Sequence, residues 1–142
     1  MYIMAISCFV ALQLWQFTND AKGESSSELH AQVINLIGLK PEDISAPKKD
    51  TDFRTKNLVV LPNTTVAIQI GATPKHYHAK TNEIQFVIEG TGTEYLDGKV
   101  VQLKAGDLLI IPKGVSHGEL TSGVKVLAIK TPPQSPDDTH VL

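Results

Sequence analysis

Residues 71–90 read GATPKHYHAKTNEIQFVIEG and residues 106–121 read GDLLIIPKGVSHGELT. These two stretches decide the fold. They hold His76, His78 and His117, together with Glu83 and a set of glycines and a proline at turn-like positions. On a strand, residues two apart project to the same face, so His76 and His78 aim their imidazoles at one point, as a chelating pair must. Glu83 lies across a turn over residues 79–82, and His117 comes from a strand distant in sequence. Three imidazoles and one carboxylate suit a divalent transition metal: Fe²⁺, Mn²⁺, Ni²⁺, Co²⁺, Cu²⁺ or Zn²⁺. An octahedral ion held by four protein ligands would keep two positions open.

Outward from these stretches the chain breaks into short apolar runs separated by Gly, Pro and Asn. They cover residues 58–61, 64–70, 84–89, 93–96, 99–103, 108–111, 115–120 and 124–130. No helical run interrupts them, which predicts an all-β sandwich or barrel. Asp97-Gly98 is a type I′ hairpin signal. Val66, Ile68 and Ile70 alternate with Thr65, Ala67 and Gln69, as in a strand with one buried face. Residues 108–111 are continuously apolar, which predicts a strand covered on both sides.

The pattern is similar to the two boxes of the cupin superfamily, G-x5-H-x-H-x3,4-E-x6-G and G-x5-P-x-G-x2-H-x3-N. The first box falls on Gly71, His76, His78, Glu83 and Gly90, the second on Gly106, Pro112, Gly114 and His117. Two departures exist: the spacing from Gly71 to His76 is one residue short, and Thr121 stands where the second box ends in Asn. The resemblance implies a double-stranded β-helix, a small jelly-roll barrel, with a metal on His76, His78, Glu83 and His117 inside its mouth. If Glu83 points inward, parity places Gln85, Val87 and Glu89 on its face; His117 in turn brings Val115 and Glu119. Gln85 is the candidate polar group beside an open metal position, and Glu119 the candidate acid or base. Tyr77 and Tyr95 are further pocket candidates, although a half-buried sheet aromatic is the commoner role for such residues.

At 142 residues the chain is long enough for one domain with a real core. A hydrophobic share of 42%, a charged share of 20% and a net charge of −2 are those of a globular protein, and they argue against nucleic acid as a partner. The single cysteine, Cys8, excludes an internal disulfide framework and a multi-cysteine zinc site. Residues 1–23 read as a signal peptide, with an apolar run too short for a stable membrane span and small residues before a possible cleavage after Gly23, although no basic residue precedes the run. Cleavage implies a secreted or periplasmic protein; an uncleaved chain stays cytoplasmic. Residues 24–56 are expected to form a helix, over 25–39 with Leu29, Val33, Leu36 and Ile37 as its apolar stripe, followed by a polar linker arm. The barrel is expected over 57–131 and an extended Pro-rich tail over 132–142.

The expected activity is metal-dependent chemistry on a small oxygenated metabolite such as a sugar acid or carboxylate, of lyase, isomerase, decarboxylase or dioxygenase type. The alternative is a non-catalytic, metal-dependent module for a carbohydrate-like ligand. A homodimer is expected, with the 25–39 stripe and the tail as candidate contacts.

Overall fold

The computed structural model describes residues 29–142. The expected leader lies outside the described residues, as does the start of the expected helix. The strands are β1 (Arg54–Leu61), β2 (Thr64–Ile70), β3 (His76–Tyr77), β4 (Asn82–Glu89), β5 (Thr91–Leu96), β6 (Lys99–Lys104), β7 (Leu108–Ile111), β8 (His117–Glu119), β9 (Lys125–Thr131) and β10 (His140–Val141). They form two five-stranded antiparallel sheets, ordered β1-β2-β9-β4-β7 and β10-β3-β8-β5-β6. This is the expected double-stranded β-helix.

Turn chemistry behaves as the sequence predicts. Asp97 and Gly98 both have positive φ, 47° and 81°, and join β5 to β6 with Leu96 opposite Lys99. Gly90, at the end of the first box, has a φ of 91°, and a Cβ there would lie 1.9 Å from the Gly123 carbonyl oxygen. Only glycine fits that crossing.

The inward face of β4 explains where the core ends and a site begins. Glu83, Gln85 and Val87 are all buried along it. Val87 joins Leu103, Leu109, Ile111, Val124 and Val126 in the apolar core. Polar residues therefore occupy one end of the barrel interior and apolar residues the other.

Five expectations change. Residues 29–39 run as irregular chain with a turn at 36–38, not as a helix. Leu29, Val33 and Ile37 face solvent and only Leu36 of the stripe is half-buried, and a short helix with so little tertiary packing is marginal in water. The segment is fastened through its backbone: buried Lys125 donates to the carbonyls of Ile37 and Leu39, at 3.3 and 2.7 Å, and pairs with Glu89 at 2.9 Å. The one helix among the described residues is α1 (Pro41–Ile44), begun by Pro41 and by Asp43 accepting from the Lys40 amide.

The supposed linker arm is part of the barrel mouth, since β1 starts at Arg54 and residues 48–53 fold over the opening. Strand β7 is covered on one side: Leu109 and Ile111 enter the core, while Leu108 and Ile110 stay exposed because, among the described residues, α1 covers the outer face only at β1 and β2. Glu89 does not share the inward face, because a β-bulge between Val87 and Glu89 breaks the alternation and turns its carboxylate out to Lys125.

The tail, expected as an extended arm, ends in an edge strand: β10 pairs with β3, His140 opposite Tyr77 and Val141 opposite His76. No helix among the described residues is long and apolar enough to cross a membrane.

Candidate metal centre

His76 and His117 face each other in register on β3 and β8, and His78 follows at the end of β3. One sheet thus supplies all three imidazoles. The other supplies Glu83 on β4, whose cross-strand partner on β9 is Lys130. The histidine ligand atoms lie within 4.8 Å of one another. Glu83 Oε2 sits 3.2 Å from His78 Nε2 and 3.5 Å from His117 Nε2, and Gln85 Nε2 donates to Glu83 Oε1 at 3.0 Å.

Each imidazole is oriented by a backbone carbonyl on its far nitrogen. His76 Nδ1 lies 2.8 Å from Pro74 O, His78 Nδ1 2.6 Å from Asp138 O, and His117 Nδ1 3.1 Å from Val115 O. A carbonyl only accepts, so each Nδ1 carries the proton and each Nε2 turns a lone pair inward. His78 Nε2, His117 Nε2 and Glu83 Oε2 are buried without a hydrogen-bond partner. The Lys130 ammonium, 3.4 Å from Glu83 Oε2, offsets the carboxylate charge from one side, but the His78 and His117 lone pairs facing that oxygen at 3.2 and 3.5 Å still repel it unless a cation lies among them. The residues therefore fit a divalent metal.

Electrostatics prepare the ligands for that role. Burial pushes the His76 imidazole down to about 4, so it is neutral and available at physiological pH. Burial opposes ionisation of Glu83, but the contacts with His117 and His78, the Lys130 ammonium and the Gln85 amide hold the carboxyl well below its ordinary range; with both rings protonated on Nδ1, Lys130 and Gln85 are the donors that remain. Glu83 is a carboxylate.

Above the histidines opens a cavity of about 470 Å³, in the range of small-molecule sites. His76 and His78 form part of its wall, with Thr65, Ala67 and Gln69 from β2. Val66 and Ile68, the apolar members of that alternating strand, face the other side of the sheet, where α1 packs. Gln85 and Glu119 line a recess of about 20 Å³, room for one water, which shares Phe53, Gln69 and Thr73 with the main cavity.

Glu94, not singled out in the sequence, is fully buried opposite Glu119 on β5. Burial and the neighbouring Glu119 push its carboxyl up to about 8, and burial raises Glu119 as well. Its Oε1 accepts from the Gly118 amide at 3.1 Å. Thr121, the departure from the second box, takes no part in ligation: its hydroxyl accepts from the Thr93 amide at 3.0 Å and donates to Glu119 Oε1 at 3.3 Å. Tyr77 stacks on His140 and Tyr95 lies under the Lys75 ammonium; neither lines the cavity or the recess.

Comparison with known proteins agrees with the fold. Residues 64–129 match the cupin domain family. An uncharacterized protein of Methanocaldococcus jannaschii, MJ1618, is 34% identical over 70 residues, and the match spans 47% of this chain and 56% of that one. An uncharacterized protein of Aquifex aeolicus is 45% identical over 42 residues, 30% of this chain and 35% of the relative. The chain thus matches about half or less of the length of these relatives.

Among solved structures, KdgF from Halomonas sp. aligns over 58% of this chain and 81% of its own at 20% identity, with a TM-score of 0.54. Streptomyces Pac13, described as a nucleoside dehydratase, aligns over 63% and 78% at 17% identity and a TM-score of 0.58. An RmlC-like cupin from Shewanella frigidimarina aligns over 66% and 88% at 19% identity, also at 0.58. At these identities the likeness is one of fold. Both sequence boxes and the antiparallel double sheet agree with the matched family, and residues 64–129, just under half of the chain, are identified as a cupin domain.

Proposed function

We infer that the protein is a metal-dependent enzyme acting on a small oxygenated metabolite, with acid–base chemistry of the lyase or isomerase kind. The observation that carries this reading is the set of inward, unpartnered Nε2 and Oε2 atoms at the foot of a cavity sized for a small molecule. A divalent ion held by His76, His78, Glu83 and His117 would supply Lewis acidity toward an oxygen of the ligand.

The remaining steps belong to the chain. The carbonyls of Pro74, Asp138 and Val115 fix the imidazole tautomers, and Gln85 holds the second oxygen of Glu83 in place. Glu119 lies on the recess and exchanges a proton with the ligand through the single water that fits there. Glu94 presses a second carboxyl against it, and two buried carboxyls in contact hold a proton at neutral pH that one exposed carboxyl would have lost. Pac13, a dehydratase, uses the same fold for elimination chemistry, which supports the reading by analogy of fold only.

The test is metal content followed by turnover. Purified protein is expected to bind a divalent ion, to lose it in His78→Ala, and to lose turnover in Glu83→Ala and His117→Ala. Protein that binds no ion, with His78→Ala unchanged in stability and ligand binding, overturns the reading. Saturable binding without turnover favours the non-catalytic module instead.

A further inference from the structure

The cavity wall has a one-sided charge. Lys48, Lys49 and Lys130 line it, and no Asp or Glu does among the described residues. The acidic residues of the mouth loop are kept out of it. Residues 48–53 are closed by Lys48 N donating to Phe53 O at 2.9 Å and Thr51 N to Lys48 O at 3.1 Å. Asp50 sits at the positive-φ corner, and Asp52 turns away to accept from the Ala72 amide at 3.1 Å. The loop therefore presents its lysines to the cavity.

Lys130 is the inner member of the set. Its ammonium lies 3.4 Å from Glu83 Oε2, the oxygen that His78 and His117 also face, and only 13% of its side chain is exposed. A divalent ion among the imidazoles, together with that ammonium, sets three positive charges against one carboxylate. An uncompensated charge in a largely enclosed site is expensive, so a bound anion is what balances it. The rest of the wall is uncharged and mixed: Thr55, Asn57, Thr65 and Gln69 can pair with hydroxyls, while Phe53, Ala67 and Ala128 offer apolar surface to the carbon skeleton between them.

We propose that the ligand is a polyhydroxylated anion whose acidic group sits on Lys130 beside the metal centre, with Lys48 and Lys49 drawing it into the mouth. The assignment rests on the metal-dependent reading above and names its substrate class. Lys130 is a specificity-determining residue, and the mouth lysines act on capture.

The experiment is calorimetric titration of the zinc-loaded protein with D-gluconate, D-glucose 6-phosphate and neutral D-glucitol at millimolar concentration, after zinc alone has been titrated. At least one acid is expected to bind tenfold or more tightly than glucitol, with gluconate against the phosphate separating carboxylate from phosphate as the anion. Lys130→Gln should lose at least tenfold of that affinity while its zinc affinity stays the same or rises, since a repelling charge has gone. Lys48→Gln/Lys49→Gln, on the exposed loop, should fold normally and weaken the acid with a reduced salt dependence.

Glucitol binding as tightly as the acids, Lys130→Gln retaining wild-type acid affinity, or no binding by any of the three overturns the proposal. Normal zinc binding with any of those results sinks the anion site alone. Lys130-dependent acid binding in a protein that takes no zinc leaves the anion site standing and removes the metal reading.

Discussion

Adding a single methyl group two strands away from any open surface should disable the metal centre. Gly118 lies on β8 between His117 and Glu119, and a Cβ there would sit 2.7 Å from Pro74 O, 3.0 Å from Pro74 C and 3.1 Å from Lys75 Cα. All three obstacles are backbone, so no side-chain rotation relieves them. Restoring an ordinary contact of 3.4 Å moves the 74–75 segment back by about 0.7 Å. The Pro74 carbonyl is the group that holds His76 Nδ1, at 2.8 Å, and a shift of that size takes the bond past the ~3.2 Å limit of a sound one. Loss of such an outer-shell partner costs roughly 10–100-fold in metal affinity, or about 1.4–2.7 kcal/mol. Zinc titration of Gly118→Ala, with cooperative thermal unfolding as the control for folding, is the assay. A folded variant with wild-type zinc affinity would refute the idea that the Pro74 carbonyl positions His76.

Two further outcomes follow from buried charge and bare surface. Glu94 ionises at about 8 in the folded protein against an ordinary 4.5, so the folded state holds the extra proton between those values, and stability from this group is full below about pH 4.5 and falls as pH rises toward 8. In Glu94→Gln the amide keeps the Gly118 contact without the charge, and urea midpoints taken from pH 5 to 8 should show the variant gaining on wild type by up to about 1.4 kcal/mol per pH unit; parallel curves would mean that the carboxyl is not buried as described. We also propose a homodimer through the outer face where Ile84 stands opposite Ile110 and Phe86 opposite Leu108, of which Phe86, Leu108 and Ile110 are exposed in the single chain. Sedimentation should give a dimer at micromolar concentration and a monomer for Phe86→Lys/Ile110→Lys, whereas a monomeric wild type removes the dimer.

The strands were legible because each run is short, β-rich and fenced by turn residues, and Asp97-Gly98 and Gly90 adopt the backbone that their chemistry demands. Three of the four proposed metal ligands, His76, His78 and Glu83, were legible because they fall in one short stretch, whereas His117, distant in sequence, was nominated by the resemblance to the second box. Parity failed at Glu89, where a bulge inserts one residue, and nothing in a single sequence marks that insertion. The stripe from Leu29 to Ile37 misled because periodicity reports an amphipathic face without reporting whether anything is there to cover it.

Glu94 and Lys130 went unnoticed for a common reason. A charged residue in an alternating strand reads as the solvent side, and here the alternation points inward instead, Lys130 to the cavity wall and Glu94 into the buried interior. The inward phase of β4, Glu83-Gln85-Val87, was the available clue, since its cross-strand partners Lys130 and Ala128 on β9 must share it. The carbonyls that orient the histidines were invisible for a deeper reason, as every residue has one.

The hydrogen bond from His78 to the Asp138 carbonyl also sets an order in time. The chain is made from its N-terminus, and every strand that bears a proposed ligand precedes Asp138, so the barrel can close before the support for His78 exists. A nascent domain stopped short of the tail would own all the ligands and still hold an imidazole free to turn. Metal capture is thereby tied to the residues made after β9, and a fragment lacking residues 132–142 should resemble the longer chain in fold while differing from it in what it retains.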